Sequence, residues 1–385
     1  QIIELGGMLM KKNSPLFDTS FFNMPSNIVH ACAGGETLPL KTHAEYFQKY
    51  LDDKSNGMKG RISQENTVER VRSKVGALWN VEPSSIGFVS SVAEGVSILY
   101  ESLSWNAEDN ICIDANEYPS MVAPFSINSK NSPQIIIASG TDEDRLFNAV
   151  NNKTKIIVVS YVSYLNGERF NLKKLRSKAD EVGAMLVVDF TQAAGYLPIE
   201  ASLADFAFSS CYKWLLGITG CSIAFWNRER QPNWRPNTGG WHSIKAEKRP
   251  NYTKKLELRD DGLKFTRGNP SHASIYVLDG ALEFLKQYHP QNIQQHVQSL
   301  TVELISQLQS HNIISSTPKD TERHGASVCI DGDFDYDFIN NLQQSGIYIW
   351  GGTGRLRISF HGYNYFDEIS KITDNLIPAI KNIKK

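Results

Sequence analysis

The stretch AMLVVDFTQAAG (residues 184–195), followed by SSCYKWLLGITG (residues 209–220), decides the reading of this chain. The first is an apolar run that ends on a carboxylate, Asp189, and turns at once into a loop. A short run without alternation reads as a strand buried on both faces. The second carries Lys213 between Tyr212 and Trp214, ahead of a Gly-rich turn. A lysine between two aromatics is partly desolvated, which lowers its pKa and frees the amine for imine formation. Taken singly, each residue has a plainer reading. Lys213 could snorkel from a sheet edge, and Asp189 could cap a helix or mark the switch point of some other α/β enzyme. Together with Gln192, three residues past Asp189, they point to one chemistry. A lysine forms a Schiff base with an aldehyde cofactor, and a carboxylate keeps a pyridine nitrogen protonated so that the ring serves as an electron sink. Pyridoxal 5′-phosphate (PLP) needs that pair.

Outward from this stretch, residues 86–228 alternate short apolar runs with helical segments. The runs are IGFV, NICIDA, PQIIIA, KIIVVSYV, AMLVVDF, ADFAFSS and CSIAFW; AEGVSILYESL and NLKKLRSKADEVGA are among the segments between them. The rhythm predicts βα units and a mainly parallel sheet covered on both faces. ENTVERVRSKVGALWNV (65–81) precedes it as an amphipathic helix. Residues 229–264 are rich in Pro, Asn, Gly and charge and read as a long loop lining a site. Beyond it come a helix from about Ser271, a second over 293–311, short strands (ASVCIDG, GIYIWGG, RLRISFHG) and a closing helix, YFDEISKITDNLIPAIKNI. This mixture predicts a smaller α+β domain. The expected division is a large domain over 26–262 and a small one over 263–385 that includes 1–25.

Composition narrows the function classes. Hydrophobic residues at 41% and charged residues at 21% are the balance of a globular protein with a real core. A formal net charge of −1 offers no bulk field for nucleic acid or anionic membrane. No apolar run approaches bilayer length, and the opening QIIELGGMLMKK is too short and polar for a signal peptide. The expectation is a cytoplasmic protein, with the first seven residues a processing or tag remnant before Met8. The five cysteines (Cys32, Cys112, Cys211, Cys221, Cys329) show no metal-ligand spacing and read as free thiols; no metal site is expected. Neither GxGxxG nor GxxxxGK[ST] follows the first strand, which argues against a nucleotide-binding enzyme.

Two further groups carry chemistry. IGFV runs into SSVAEGVSILY, a strand, turn and helix with Ser90 and Ser91 at the cap. Bare amides at a helix start suit a phosphate dianion, although the same serines would cap any surface helix. In GRLRISFHGYN, strand alternation puts Arg355 and Arg357 on one face. A guanidinium fork there could take an α-carboxylate, or simply be a strand arginine. Trp241, His242, Trp350 and Tyr161 are equally readable as pocket walls or packing.

The segments VVDFTQAAGYLPIE, ADFAFSSCYKWLLGITGCSIAFW, SSVAEGVSIL, NEYPSMVAPF, YVSYLNGERFNL, FTRGNPSHASIYVLDGAL and RLRISFHGYN resemble the class V aminotransferase group of fold-type-I PLP enzymes, over most of residues 60–365. That group includes cysteine desulfurases and isopenicillin N epimerase. The resemblance implies a seven-stranded, mainly parallel large domain and a small α+β domain. It implies that Lys213 carries the cofactor, Asp189 pairs with the pyridine nitrogen and Gln192 meets the phenolic oxygen. Tyr118 would stack on the ring. Ser91, the amides of Val92 and Ala93, Ser210 and Tyr212 would hold the phosphate. Arg357 would bind the substrate carboxylate, and the HACAGG loop with Ala33 would close over substrate. A homodimer with shared sites is implied, Asn269 reaching the partner's phosphate. Two departures stand out. Val92 and Ala93 replace the hydroxyl that many relatives carry at the helix start. No cysteine follows Cys329, so the persulfide-forming cysteine of the desulfurases has no counterpart. The implied activity is transamination or β-elimination at the α-carbon of an amino acid. Alternatives are a C–S lyase without a persulfide cysteine, or a family member that has lost turnover.

Overall fold

All seven apolar runs become strands of one sheet. The computed structural model describes residues 2–5, 8–11, 13–127, 132–246 and 249–383. Residues 1, 6, 7 and 12 of the N-terminal stretch and 247–248 of the long loop lie outside the described residues. The chain opens with β1 (Ile2–Leu5), β2 (Met8–Lys11), β3 (Val29–His30), α1 (His43–Ser55) and α2 (Gly57–Trp79). The alternating region then gives β4 (Ile86–Val89), α3 (Val92–Glu101), β5 (Asn110–Asp114), α4 (Pro119–Ser126), β6 (Gln134–Ala138), α5 (Arg145–Ala149), β7 (Thr154–Ser160), α6 (Leu172–Val182), β8 (Met185–Asp189), β9 (Phe206–Ser210) and β10 (Ser222–Trp226). The remainder holds α7 (His272–Leu285), α8 (Pro290–Ser310), β11 (Ser327–Asp331), α9 (Tyr336–Gln344), β12 (Ile347–Tyr348), β13 (Trp350–Gly352), β14 (Arg355–Ser359) and α10 (Phe366–Ile383).

The large sheet has the order β4-β10-β9-β8-β7-β5-β6. Only β10 runs against its neighbours; β9, β8, β7, β5 and β6 are parallel. Alternate residues of each central strand enter different cores. Leu186 and Val188 of β8 face one cluster, which includes α2, α6 and α7, while Val187 joins the other, with α3, α4, Trp234 and Phe265. Burial on both faces is why these strands read as unbroken apolar runs. The edge strand β6 is the exception, with Gln134 and Ile137 exposed. Because β4 runs with the parallel strands, their carboxyl ends all open on one edge, where α/β sheets place ligands.

The described residues between β10 and a 3₁₀ turn at Gly262–Phe265 hold an isolated bridge between Ile244 and Leu258. The C-terminal strands form an antiparallel sheet, β11-β14-β13, and β12 pairs in parallel with β3. The helix expected over 293–311 begins earlier, at Pro290. Proline at the first position has no intrahelical hydrogen bond to lose and its φ is already helical, a signal the apolar period alone does not carry. Helix α2 is longer than expected and stops where Asn80 turns left-handed at φ 52°. Among the described residues no helix is long and apolar enough to cross a membrane.

One glycine ties the sheet edge to the lysine loop. Gly195 sits at φ 113°, and a Cβ there would lie 2.2 Å from the carbonyl oxygen of Trp214. Gly183 is also left-handed, at φ 74°, but nothing lies within 4 Å of its Cβ position. Gly195→Ala should therefore cost about 3 kcal/mol or more, and Gly183→Ala about 1–2 kcal/mol, in urea unfolding. Equal losses would show that the Trp214 contact does not constrain the loop.

Candidate active site

Lys213 follows β9 in a tight loop. Leu216 donates its amide to the Lys213 carbonyl at 2.9 Å, and Gly217 to that of Cys211 at 2.8 Å. Trp214 anchors the loop to the C-terminal unit. Its indole Nε1 donates to the Phe360 carbonyl at 3.0 Å, and its own carbonyl lies 2.9 Å from His361 Nε2. The lysine is buried. Its Nζ is 5.6 Å from the Tyr212 ring centre and 5.9 Å from that of Tyr118. Burial is the main reason its pKa falls to about 8. The Arg357 guanidinium pushes the same way, and Asp189 and Glu36 oppose. Of the two aromatic neighbours read from the sequence, Tyr212 lies near this amine, whereas the Trp214 indole turns to Phe360 and Tyr196, and Tyr118 takes its place.

Asp189 ends β8, buried, with Oδ1 accepting from the Thr191 amide at 2.8 Å. Burial raises its pKa; the Thr191 hydrogen bond and the Lys213 ammonium work against that. In register beside it on β7 is Ser160. A second carboxylate, that of the half-buried Glu117, accepts from the Ser160 amide at 2.8 Å, from the Ser160 hydroxyl, and from the Tyr118 amide at 2.7 Å. Burial pushes Glu117 up to about 7 against those hydrogen bonds, and nearby Asp189 adds to the rise. Glu117 fixes the backbone from which the Tyr118 ring projects. It lies in NEYPS, where nothing local singles it out, because the Ser160 that it grips lies on another strand.

On the same sheet edge, past the end of β4, Ser91 caps α3 by accepting from the Glu94 amide at 3.2 Å, and Glu94 reaches back to the Ser90 amide and hydroxyl at 2.6 and 2.7 Å. This is close to a capping box. The amides of Val92 and Ala93 belong to the first turn, which has no preceding carbonyls to receive them. Ser90 and Ser91 are exposed, so this helix start opens to solvent. Ser210 is held by its amide on Thr191 Oγ1 at 2.9 Å.

Arg357 and Arg355 line a third side, both buried and both donating to the Tyr164 carbonyl, at 2.9 and 2.8 Å. Tyr164 in turn meets Tyr118 edge-on, ring centres 5.0 Å apart. The HACAGG loop lies along β14: the Ser359 amide donates to Ala31, and Ala33 donates back to Ser359 at 3.4 Å. A Cβ on Gly34 would be 3.1 Å from Arg357 Nε and 2.6 Å from Ser359 Oγ, so only glycine lets the loop come this near. Gln192 donates its side-chain amide to the Gly34 carbonyl at 3.0 Å, tying this loop to the end of β8.

The structure thus links Lys213, Asp189, Tyr118, Tyr212, Gln192, Arg357 and the Ala33 loop through these contacts, with Ser91, Val92, Ala93 and Ser210 on the same sheet edge. Asn269 stands apart, exposed, its side-chain oxygen 2.5 Å from Arg61 Nη1. Of the four undecided aromatic and histidine positions, Trp350 lies against Arg357, 5.0 Å from ring centre to Cζ. Tyr161 packs on Phe190, Trp241 is exposed and His242 is buried 3.6 Å from Glu65. Four cysteines are buried free thiols and Cys32 is half-buried.

Lys264 is a competing amine, since burial and nearby arginines bring it also to about 8. Its Nζ is 3.4 Å from the Trp226 ring centre and donates to the Trp234 carbonyl at 2.9 Å. Both contacts occupy the Lys264 amine, and no carboxylate lies within ion-pair reach of it among the described residues. The Lys213 site has a depressed amine, a buried carboxylate, an aromatic wall and a helix start for a dianion, which is the donor set PLP requires.

Comparison with known proteins agrees. The sequence profile of the aminotransferase class-V family matches residues 38–372, and the chain belongs to that family. It is accordingly a PLP-dependent enzyme. A probable cysteine desulfurase of Methanothermobacter thermautotrophicus is 22% identical over 369 residues, covering 88% of this chain and 90% of the relative. A second, from Streptomyces coelicolor, is 25% identical over 374 residues, covering 88% and 87%. Among solved structures, the cysteine desulfurase of Thermococcus onnurineus NA1 superposes with a TM-score of 0.85 at 18% identity, covering 94% of this chain and 97% of that one. The cystine C–S lyase C-DES gives 0.81 at 18% identity, covering 91% and 98%.

Two pH effects follow. Cofactor capture by the cofactor-free protein requires the neutral amine, so its rate, followed by absorbance, should rise with pH through about 8 and then level. A profile flat from pH 6 to 10 would remove Lys213 as the reacting group. Folded Glu117 holds a proton between about pH 4.5 and 7 that the unfolded chain releases. The stability of the cofactor-free protein relative to Glu117→Gln should therefore fall as pH rises through that window and stay constant above it. A constant difference across the range would mean Glu117 is ionised throughout.

Proposed function

We propose that this enzyme acts at the α-carbon of an amino acid, with Lys213 moving the Cα proton and Arg357 holding the α-carboxylate. The observation that carries this is the pairing of a buried, depressed amine with a buried guanidinium whose Nε has no hydrogen-bond partner. Bound PLP supplies an electron sink for the charge left when a substituent departs from Cα. The residues do the rest. Asp189 offers an acceptor to a protonated ring nitrogen, and its own burial favours any partner that brings a positive charge. Tyr118, fixed by Glu117, would wall the cofactor ring. The first-turn amides of α3 would hold the phosphate. Gln192 holds the Gly34 loop against Arg357, whose guanidinium would donate to the substrate carboxylate. Lys213 is shielded from water, so a proton it takes is returned within the site rather than lost to solvent.

The same residues serve two outcomes: return of the proton elsewhere, giving transamination, or loss of a β-substituent, giving a C–S lyase. The names of the relatives, cysteine desulfurases and a cystine C–S lyase, support the second. A thiol relay of the desulfurase kind has no support, because the segment from Ile347 to Ser359 holds no cysteine. Cys329, on β11 opposite Arg357, is buried with its thiol pushed up to about 11. We propose further that the active form is a homodimer. Phe47, Met58 and Ile62 of α1 and α2 and Trp241 are exposed apolar side chains that a second copy would cover.

Lys213→Ala should abolish turnover while leaving thermal unfolding cooperative; turnover at the wild-type rate would refute the assignment. Arg357→Ala should raise KM with a loss of roughly 2–5 kcal/mol in kcat/KM, and an unchanged KM would count against its carboxylate role. Incubation with a cysteine S-conjugate and no keto-acid acceptor separates the outcomes. Sustained pyruvate and ammonia mean elimination, and a single turnover that stops means transamination.

A further inference from the structure

Among the described residues five arginines are buried: Arg72, Arg145, Arg176, Arg355 and Arg357. The first three each meet a carboxylate, Glu69 at 2.9 Å, Asp114 at 2.6 Å and Asp205 at 2.6 Å. Arg355 and Arg357, only 2% and 4% exposed, have no carboxylate within 4 Å among the described residues. Each has a buried Nε without a hydrogen-bond partner. Burying one unpaired cation is costly, and burying two like charges side by side is more so.

Their geometry is specific. They stand two residues apart on β14, so both side chains leave the same face one pleat apart. Arg355 Nη2 and Arg357 Nη1 reach the same oxygen, the Tyr164 carbonyl, so these atoms lie within about 6 Å of each other. The Trp350 indole lies against both, 4.7 and 5.0 Å from ring centre to Cζ. Arg355 also donates to the Thr353 hydroxyl. Asp331 is opposite Arg355 in the strand register but is exposed and outside ion-pair reach. Glu36, at the loop tip, is exposed too. On the reading given above, Arg357 takes the α-carboxylate and the start of α3 takes the cofactor phosphate. Nothing assigned so far neutralises Arg355.

We propose that Arg355 is the side-chain subsite of this enzyme, and that its substrates are amino acids whose side chain ends in an anionic group. The proposal rests on Arg357 as the α-carboxylate site. Two guanidinium heads this close match the two acid groups of a four- or five-carbon amino diacid. Trp350 walls the pair and limits access of water to the charges.

The test is a spectral titration of the holoenzyme with L-aspartate, L-glutamate and O-phospho-L-serine against L-asparagine, L-glutamine and L-serine. The acidic member of each pair should bind roughly 30-fold tighter or more, and whichever pair shows the largest ratio identifies the anion. In Arg355→Gln the ratio should collapse towards one, and Arg355→Lys should restore part of it. If Arg355 only braces the Tyr164 carbonyl, acidic and neutral ligands weaken together and the ratio survives, which overturns the proposal. A wild-type ratio near one overturns it as well. Succinate needs no variant: it should raise the Tm of the wild-type holoenzyme well above the effect of butyrate, and equal effects would argue against a second anion site. A wild-type enzyme that keeps its visible band yet responds to no amino acid would instead locate the failure in the α-carbon reading, and the subsite would fall with it.

Discussion

A buried amine on which a nearby carboxylate and a nearby guanidinium act in opposite directions is the constraint on which this site depends. Lys213 has Asp189 favouring its charge, and burial and Arg357 opposing it. Burial and Arg357 prevail, and the amine is brought close to the pH at which a nucleophile is useful. That balance requires three distant parts of the chain to meet: the end of β8, the loop after β9 and the strand β14. Trp214 makes them meet. It is bonded to Phe360 and His361 beyond β14, and it fits under Gly195 beyond β8.

The same economy governs the other buried charges. Where the fold needs an arginine for structure, it supplies a carboxylate, as Asp114 and Glu168 do for Arg145. Where arginines face the site, the carboxylate is missing. A second contrast lies in the two depressed lysines. Lys264 has its amine stacked on Trp226 and bonded to a carbonyl, which uses it. Lys213 has aromatic rings at a distance and charged groups around it, which leaves the amine available.

Much of this was legible before the structure. Strands buried on both faces read directly as apolar runs, so the sheet and the placing of Asp189 and Lys213 at its edge follow from local sequence. Capping serines at 90 and 91 marked the start of α3 for the same reason, since the cap lies within four residues. What was not legible comes from contacts across long separations. Glu117 matters because Ser160 is beside Asp189, which needs the strand order β8-β7-β5. Tyr164 matters through a backbone carbonyl that no side-chain pattern reports. Alternation put Arg355 on the Arg357 face, but only the missing counter-ions distinguish it from an ordinary strand arginine. Pro290 started a helix earlier than the apolar period suggested, because a first-turn proline carries backbone rather than packing information.

The central claim is that one particular amine, Lys213, carries the cofactor. Borohydride reduction of the cofactor-saturated enzyme followed by peptide mass mapping tests it most directly. The account predicts a single stable pyridoxyl adduct on the peptide containing Cys211–Trp214, at Lys213. An adduct on Lys264, or none in saturated material, would contradict it.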